Sequence, residues 1–488
     1  WGLHPINLTS VLYVVQRMTS LAALCVLAGL LVWLAGRQRL AAQPRSAAGL
    51  MLVGVALGAG IGALAKENAV LMPLYAAAIE LTLLRASWAR LPVRSRRVLG
   101  AFWALVIGLP ALAVFTWLAM YPDWLAAGYA GRPFTLGERL LTQARVLWFY
   151  LSLIGLPDIS RYGLYHDDLV TSTGLLSPPT TVLALGGWVL AAAAAWHWRA
   201  RAPWLAFGLA WFVAGHALES TAVPLELVHE HRNYLPALGL IGGVVVTAAG
   251  LPLRPTLRTV ALAGLGGVFA LVTATRAFTW SDDAAIIHAL HRHHPHSAAA
   301  NRMMGELALK RSGNPVRAVE YYTRAARLAP HETGYALWPL TLRGALHLPP
   351  AVQAEEIEAA TTALRTRPLT PSTLYVLRNL TDCVDRSLPD CTGMEAVVTQ
   401  WLETARHASP AGERRRSLTV DLGRVYLATG ALDEGQALMN EALTEGPNDA
   451  LYLTIAANVA LLRGELDASE ALLARAQAAG PDAGTAGH

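Results

Sequence analysis

Residues 1–279 alternate between long apolar runs and short gaps that carry nearly all of the charge. Apolar stretches fall at about 18–33, 47–65, 69–84, 98–120, 143–157, 180–196, 203–218, 234–251 and 257–278. A helix that crosses a bilayer needs roughly 20 such residues, with a range of about 17–25. In lipid each backbone polar group must be satisfied within the segment, which favours helices. Residues 280–488 instead mix apolar and charged positions as a water-exposed helical array does. The chain has 15% charged residues, against roughly 25% in ordinary soluble domains, and the deficit lies almost wholly in the first part. The expected fold is all-α: a polytopic transmembrane helical domain over 1–279, then a helical solenoid over 280–488.

Arginine placement orients the spans. Arg37, Arg39 and Arg45 follow the first run, and Arg85, Arg90, Arg94, Arg96 and Arg97 follow the third. Arg199 and Arg201 follow the sixth, and Arg254 and Arg258 follow the eighth. Positive residues mark the cytoplasmic side. All four gaps lie on that side if the run at 143–157 is re-entrant, giving eight spans plus one half-span. The net charge of +5 therefore speaks to topology rather than to nucleic acid. Four segments then face outward together: the N-terminal HPIN, the turn Lys66-Glu67-Asn68, residues 121–179, and the HEHRNY stretch at 229–234. The second domain follows on the same, outward side. The chain begins at Trp1 without a methionine, and sequence upstream of it is expected.

The second domain carries a repeat. Gly423, Tyr426, Gly430, Ala442 and Pro447 have tetratricopeptide spacing, and Gly464, Ala476 and Pro481 return 34 residues later, the period of that helix pair. Ala318, Tyr322, Ala325 and Pro330 form an earlier unit. Repeats are expected at 297–330, 416–449 and 450–483, with 331–415 helical but degenerate. Stacked repeats build extended surfaces that bind other proteins. Cys25 lies within a span and reads as packing, while Cys383 and Cys391 flank a polar loop in which a disulfide is open to them. His288, His291, His293, His294 and His296 lack a carboxylate-backed ligand spacing and read as a hydrated helix end, so a divalent metal is not indicated. No Ser-His-Asp order, phosphate-cradling glycine loop or HExxH motif occurs, which leaves soluble-type hydrolase and kinase chemistry without support.

The stretch ESTAVPLELVHEHRNYLP, 219–236, concentrates ionisable groups between two apolar runs. Ionisable residues at a membrane mark functional sites by default, whereas a hydrated connector is the structural alternative. The outward segments also hold Arg139, Arg145, Arg161, His166, Asp167 and Asp168. Cations at a membrane face suit a lipid-linked phosphate, and a nearby carboxylate can take a proton from an acceptor hydroxyl. Each has a plainer role too: Lys66 and Glu67 as a charge pair at a turn, Arg17 snorkelling, Asp167 and Asp168 capping a helix.

The segments HPINLTSVLYVVQRMTSLAAL, LAKENAVLMPLYAAAIEL and HRNYLPALG, followed by tetratricopeptide repeats, resemble the transmembrane and tetratricopeptide repeat-containing O-mannosyltransferase family, bacterial relatives above all. The resemblance implies a GT-C-type membrane glycosyltransferase that uses a polyprenyl-phosphate sugar and glycosylates protein on the outer face. It carries over His4, Arg17, Lys66, Glu67, Arg232 and Tyr234. Lys66 and Arg232 would contact phosphate, with His229 and His231 beside them, and Glu67 or His4 would line the acceptor side. The family's main acidic residue belongs to an outward loop that would precede Trp1. Implied partners are membrane lipid, the lipid-linked sugar and a protein acceptor held by the repeats. A non-catalytic membrane scaffold for an envelope complex, or an oligosaccharide polymerase or ligase with a lipid-pyrophosphate donor, would present the same outline.

Overall fold

The computed structural model describes residues 1–129, 131–345, 350–387, 392–446 and 449–479. Among them every regular element is helical. Two compact units divide after Pro295, further along than the break expected at 279. The difference lies in the helix Asp283–His293, capped by Asp282, whose Leu290 is buried. His294, expected in a hydrated helix end, is also buried, and its Nδ1 lies 2.9 Å from Oδ2 of Asp168.

In the first unit, Val14–Arg39, Pro44–Ile61, Val93–Met120, Thr180–Trp198 and Pro255–Thr279 are long and apolar enough to cross a membrane. The other apolar runs form shorter pieces, such as Met72–Thr82, Pro203–Gly215 and Tyr234–Ala249. The run expected to be re-entrant belongs to one uninterrupted helix, Leu136–Gly155, opened by a capping box of Thr135 and Glu138. Its apolar stretch reads as short because one side carries polar residues turned into the protein.

Without a hydrophobic drive between helices in lipid, close packing needs small residues at the crossing. A Cβ on Gly29 would stand 2.4 Å from the Gly54 carbonyl oxygen, and one on Gly54 would stand 2.6 Å from that of Gly29. Gly208, Gly239 and Gly243 play the same part between Pro203–Gly215 and Tyr234–Ala249. Arg37 is spent in a buried pair: Nε and Nη2 reach the Glu80 carboxylate at 2.7 and 2.6 Å. Leu183, Val189, Leu190 and Leu271 are about seven-tenths exposed, the faces that lipid chains would cover.

The second unit stacks helix pairs. Ala298–Ser312 packs on Pro315–Leu328, Glu413–Ala428 on Leu432–Glu445, and Ala450–Leu462 on Leu466–Ala479. Gly430 and Gly464, at φ of +84° and +77°, turn the chain between the helices of the last two pairs, a conformation that glycine adopts without a Cβ penalty. They stand one 34-residue period apart. Ala318 and Ala325 are fully buried, and Gly305 lies against the Tyr322 ring. The degenerate stretch is also helical: Thr333–Ala345, Pro350–Thr366, Pro371–Asp385 and Glu395–Ala408, around a core of Leu377, Val398, Trp401 and Leu402. Pro447, Pro481 and the Cys391 half of the expected disulfide lie outside the described residues.

Candidate functional site: a charged cleft at the helix ends

The stretch from Glu219 to Asn233 is no loose connector. Glu219, Glu230, Arg232 and Asn233 are all buried. The side of Leu136–Gly155 facing it holds it by its backbone. Arg139, fully buried, donates to the carbonyls of Glu219 at 2.6 Å, Thr221 at 2.8 Å and Leu225. Gln143 Nε2 donates to Leu227 O at 2.9 Å, and the Tyr150 hydroxyl accepts from His229 N at 2.8 Å. Residues 139, 143 and 150 share one helix face because their spacings of four and seven are close to whole turns. Arg139, which reads in the sequence as an outward cation, is thus a fastening post. Arg145 is likewise occupied by Val170 O and Ser172 Oγ, and Arg161 by Ser152 Oγ and the Phe149 ring.

The positioned stretch forms one wall of a cleft of about 330 Å³. Its centre is a triad. Glu219 stands between Lys66 and Arg232, with Oε1 3.8 Å from Lys66 Nζ and Oε2 3.5 Å from Arg232 Nε. Lys66 Nζ also reaches Thr19 Oγ1 at 3.0 Å and Gln16 Oε1 at 3.4 Å, while Arg232 Nη1 donates to Glu226 O at 2.7 Å. Arg232 Nε and Glu219 Oε2 are buried without a hydrogen-bond partner, although such atoms are nearly always paired. Two cations therefore share one carboxylate. Burial pushes the Lys66 ammonium below its ordinary value, against the pull of Glu219 and Glu67. His229 and His231 stack 4.9 Å apart, and burial lowers them to about 3 and about 2, so both rings are neutral near pH 7. Glu67 is exposed at the rim.

In the cleft wall Glu230 accepts from Arg276 Nη2 at 2.9 Å and from Gly163 N at 2.7 Å. Burial works to raise this carboxyl, but Arg276 and His166 outweigh it and hold it below the usual range. Among the described residues no three histidine, cysteine or acidic side chains come together as metal ligands.

The structure brings together Lys66, Glu67, His229, His231 and Arg232. It places the other three candidates elsewhere. His4 is buried with Nε2 2.9 Å from Ile154 O and Nδ1 accepting from Ile6 N, and burial lowers it to about 4. Both nitrogens are engaged by backbone, so its role as an acceptor-side base has no free lone pair behind it. Arg17 is exposed and donates from Nε to Val11 O at 3.1 Å; its neighbours Gln16 and Met18 line the cleft, and its own side chain does not. Tyr234 packs its ring edge-on against Trp1, whose Nε1 donates to its carbonyl at 2.7 Å. Gln16 and Arg132 line the cleft and escaped the sequence reading, while Glu219 opens the stretch singled out there without being named as a site residue. Glu219 was the findable one, a lone carboxylate closing an apolar run.

No family model matches the chain, and no curated protein matches it. Among solved structures, yeast Tom70 is 11% identical with a TM-score of 0.29 over 91% of this chain and 84% of that one. The Cut9–Hcn1 hetero-tetramer of the APC/C is 14% identical at a TM-score of 0.28, over 99% of this chain and 96% of that one. MamA from residue 41 of Desulfovibrio magneticus RS-1 is 16% identical at a TM-score of 0.21, covering 37% of this chain and 94% of that one. Likeness at this level adds nothing to the helix pairs and their period, and it gives the O-mannosyltransferase resemblance no support.

Proposed function

We propose that the protein is a membrane glycosyltransferase that moves a sugar from a polyprenyl-phosphate donor to a protein acceptor. It would do so on the outer face of a bacterial inner membrane, with the repeat unit recruiting the acceptor, the use to which stacked helix pairs are suited. One observation carries the reading: Lys66 and Arg232 converge on a single carboxylate, at 3.8 and 3.5 Å, in a cleft at the ends of membrane-type helices. An acceptor hydroxyl gives its proton to Glu67 while its oxygen attacks the anomeric carbon. The bond from that carbon to the phosphate oxygen breaks, and the electron pair leaves with polyprenyl phosphate. The phosphate gains a negative charge in that step, so the two cations bind the transition state better than the donor, which is what accelerates a reaction.

The partial neutralisation of both cations by Glu219 favours a second reading, a non-catalytic membrane scaffold in which the triad only fixes the fold. Membranes carrying the full chain, incubated with radiolabelled polyprenyl-phosphate sugar and envelope extract, decide between them. Label should pass to protein, and Arg232→Ala or Lys66→Ala at equal expression should lower the rate by about a hundredfold. Absence of transfer from both phosphate and pyrophosphate donors would leave the scaffold.

A further inference from the structure

A second space adjoins the charged cleft. A groove of about 600 Å³ runs between the helix Pro122–Tyr129 and residues 133–138, walled by Leu125, Ala126, Phe134 and Leu136. Its volume is within the range of pockets that take whole small molecules. The helix follows directly on the span-like Val93–Met120. Trp117, Tyr121 and Trp124 cluster at that junction, exposed, with ring centroids 5.9 and 4.7 Å apart. Aromatic residues gather where hydrocarbon meets water, and Pro122 and Leu125, next in the chain to Tyr121 and Trp124, line the groove.

The groove and the cleft share a wall. Arg132 lines both, and its Nη1 pairs with the Glu226 carboxylate. Tyr129 donates its hydroxyl to Ala222 O at 2.8 Å, and Gly128 lies so close to Pro224 that a Cβ there would stand 2.6 Å from its ring. The helix flanking the groove therefore leans on the same stretch that presents Glu219 to Lys66 and Arg232. An amphiphile with its apolar end in the groove has its polar end at Arg132, one side chain from the triad.

Resting on the glycosyltransferase reading, we propose that the groove holds the isoprenoid chain of the lipid-linked donor, with Arg132 at the passage into the phosphate cleft. Chain length is the property that separates the two spaces. A long polyprenyl phosphate fills both, whereas geranyl phosphate needs little more than the cleft.

The test measures binding of both probes to the purified full chain in detergent. Ala126 is exposed, so Ala126→Trp fills the groove without entering the core, and Leu125→Lys opposes an apolar occupant by charge instead of bulk. Both variants should bind long polyprenyl phosphate at least about tenfold more weakly, bind geranyl phosphate as before, and unfold at the wild-type temperature. Arg232→Ala should weaken both probes. If the groove variants bind the long probe normally while Arg232→Ala still weakens both, the groove assignment falls and the cleft reading stands. If dipalmitoyl phosphatidic acid binds as tightly as polyprenyl phosphate and is weakened equally, the groove is an ordinary acyl-chain site and the proposal is overturned. If the wild type binds neither isoprenoid phosphate, the glycosyltransferase reading fails and takes the groove with it.

Discussion

Arg139→Met is the sharpest perturbation available, because it removes charge and donors while keeping most of the side-chain volume. The guanidinium makes three bonds to the carbonyls of Glu219, Thr221 and Leu225. Hydrogen bonds from charged groups are worth about 1.5–3 kcal/mol each, so three give roughly 5–9 kcal/mol. Relief of the desolvation of a fully buried cation returns several kcal/mol, leaving a net loss of about 3–5 kcal/mol. Thermal unfolding of the full chain in detergent should fall by about 5 °C. Amide exchange should rise most in residues 219–229, which the helix Leu136–Gly155 fastens. Arg145→Met is the control: it removes bonds to Val170 and Ser172 and should leave 219–229 protected. Equal protection of that stretch in wild type and Arg139→Met would refute the assignment of Arg139 as its anchor.

Two further outcomes follow from the geometry. His4 and His229 have folded values of about 4 and about 3, below the ordinary 6.5, so the unfolded chain takes protons first. Stability should be complete above about pH 6.5 and fall toward pH 4, by up to about 1.4 kcal/mol per unit for each ring; unfolding temperatures of His229→Gln should show a shallower slope, and an unchanged slope would contradict its buried neutral state. Gly29→Leu should destabilise the chain by about 3 kcal/mol, since a Cβ there meets the Gly54 carbonyl at 2.4 Å, whereas Gly49→Ala, with open space around it, should raise the unfolding temperature slightly.

The apolar runs and the 34-residue period were legible in the sequence because both are local patterns, written in side chains a few positions apart. Lys66, Glu67, His229, His231 and Arg232 were legible for a related reason: charge in a short gap between apolar runs has few places to go. Arg139 was not. Its partners are backbone carbonyls 80 to 86 positions away, and a carbonyl carries no residue identity to read. The same polar face made Leu136–Gly155 look like half a span, because residues turned toward protein break an apolar run as surely as residues turned toward water. His4 misled in the opposite direction: its residue type suggested chemistry, and its engagement by Ile154 O and Ile6 N emerges only from the fold. The middle helix pairs escaped detailed reading because their left-handed residues, Ser387 and Gly393, fall off the 34-residue register that Gly430 and Gly464 keep.

Fastening the cleft wall at residues 139, 143 and 150 of one helix also makes that helix a lever. The outer two fastenings lie about 16 Å apart along its axis at 1.5 Å per residue. Tilting the helix by roughly 10° moves one fastening sideways relative to the other by about 3 Å, the length of a hydrogen bond. Residues 219–229 are thus tied to the orientation of Leu136–Gly155, and a change in its tilt of that size would reach Glu219 through the bond from Arg139.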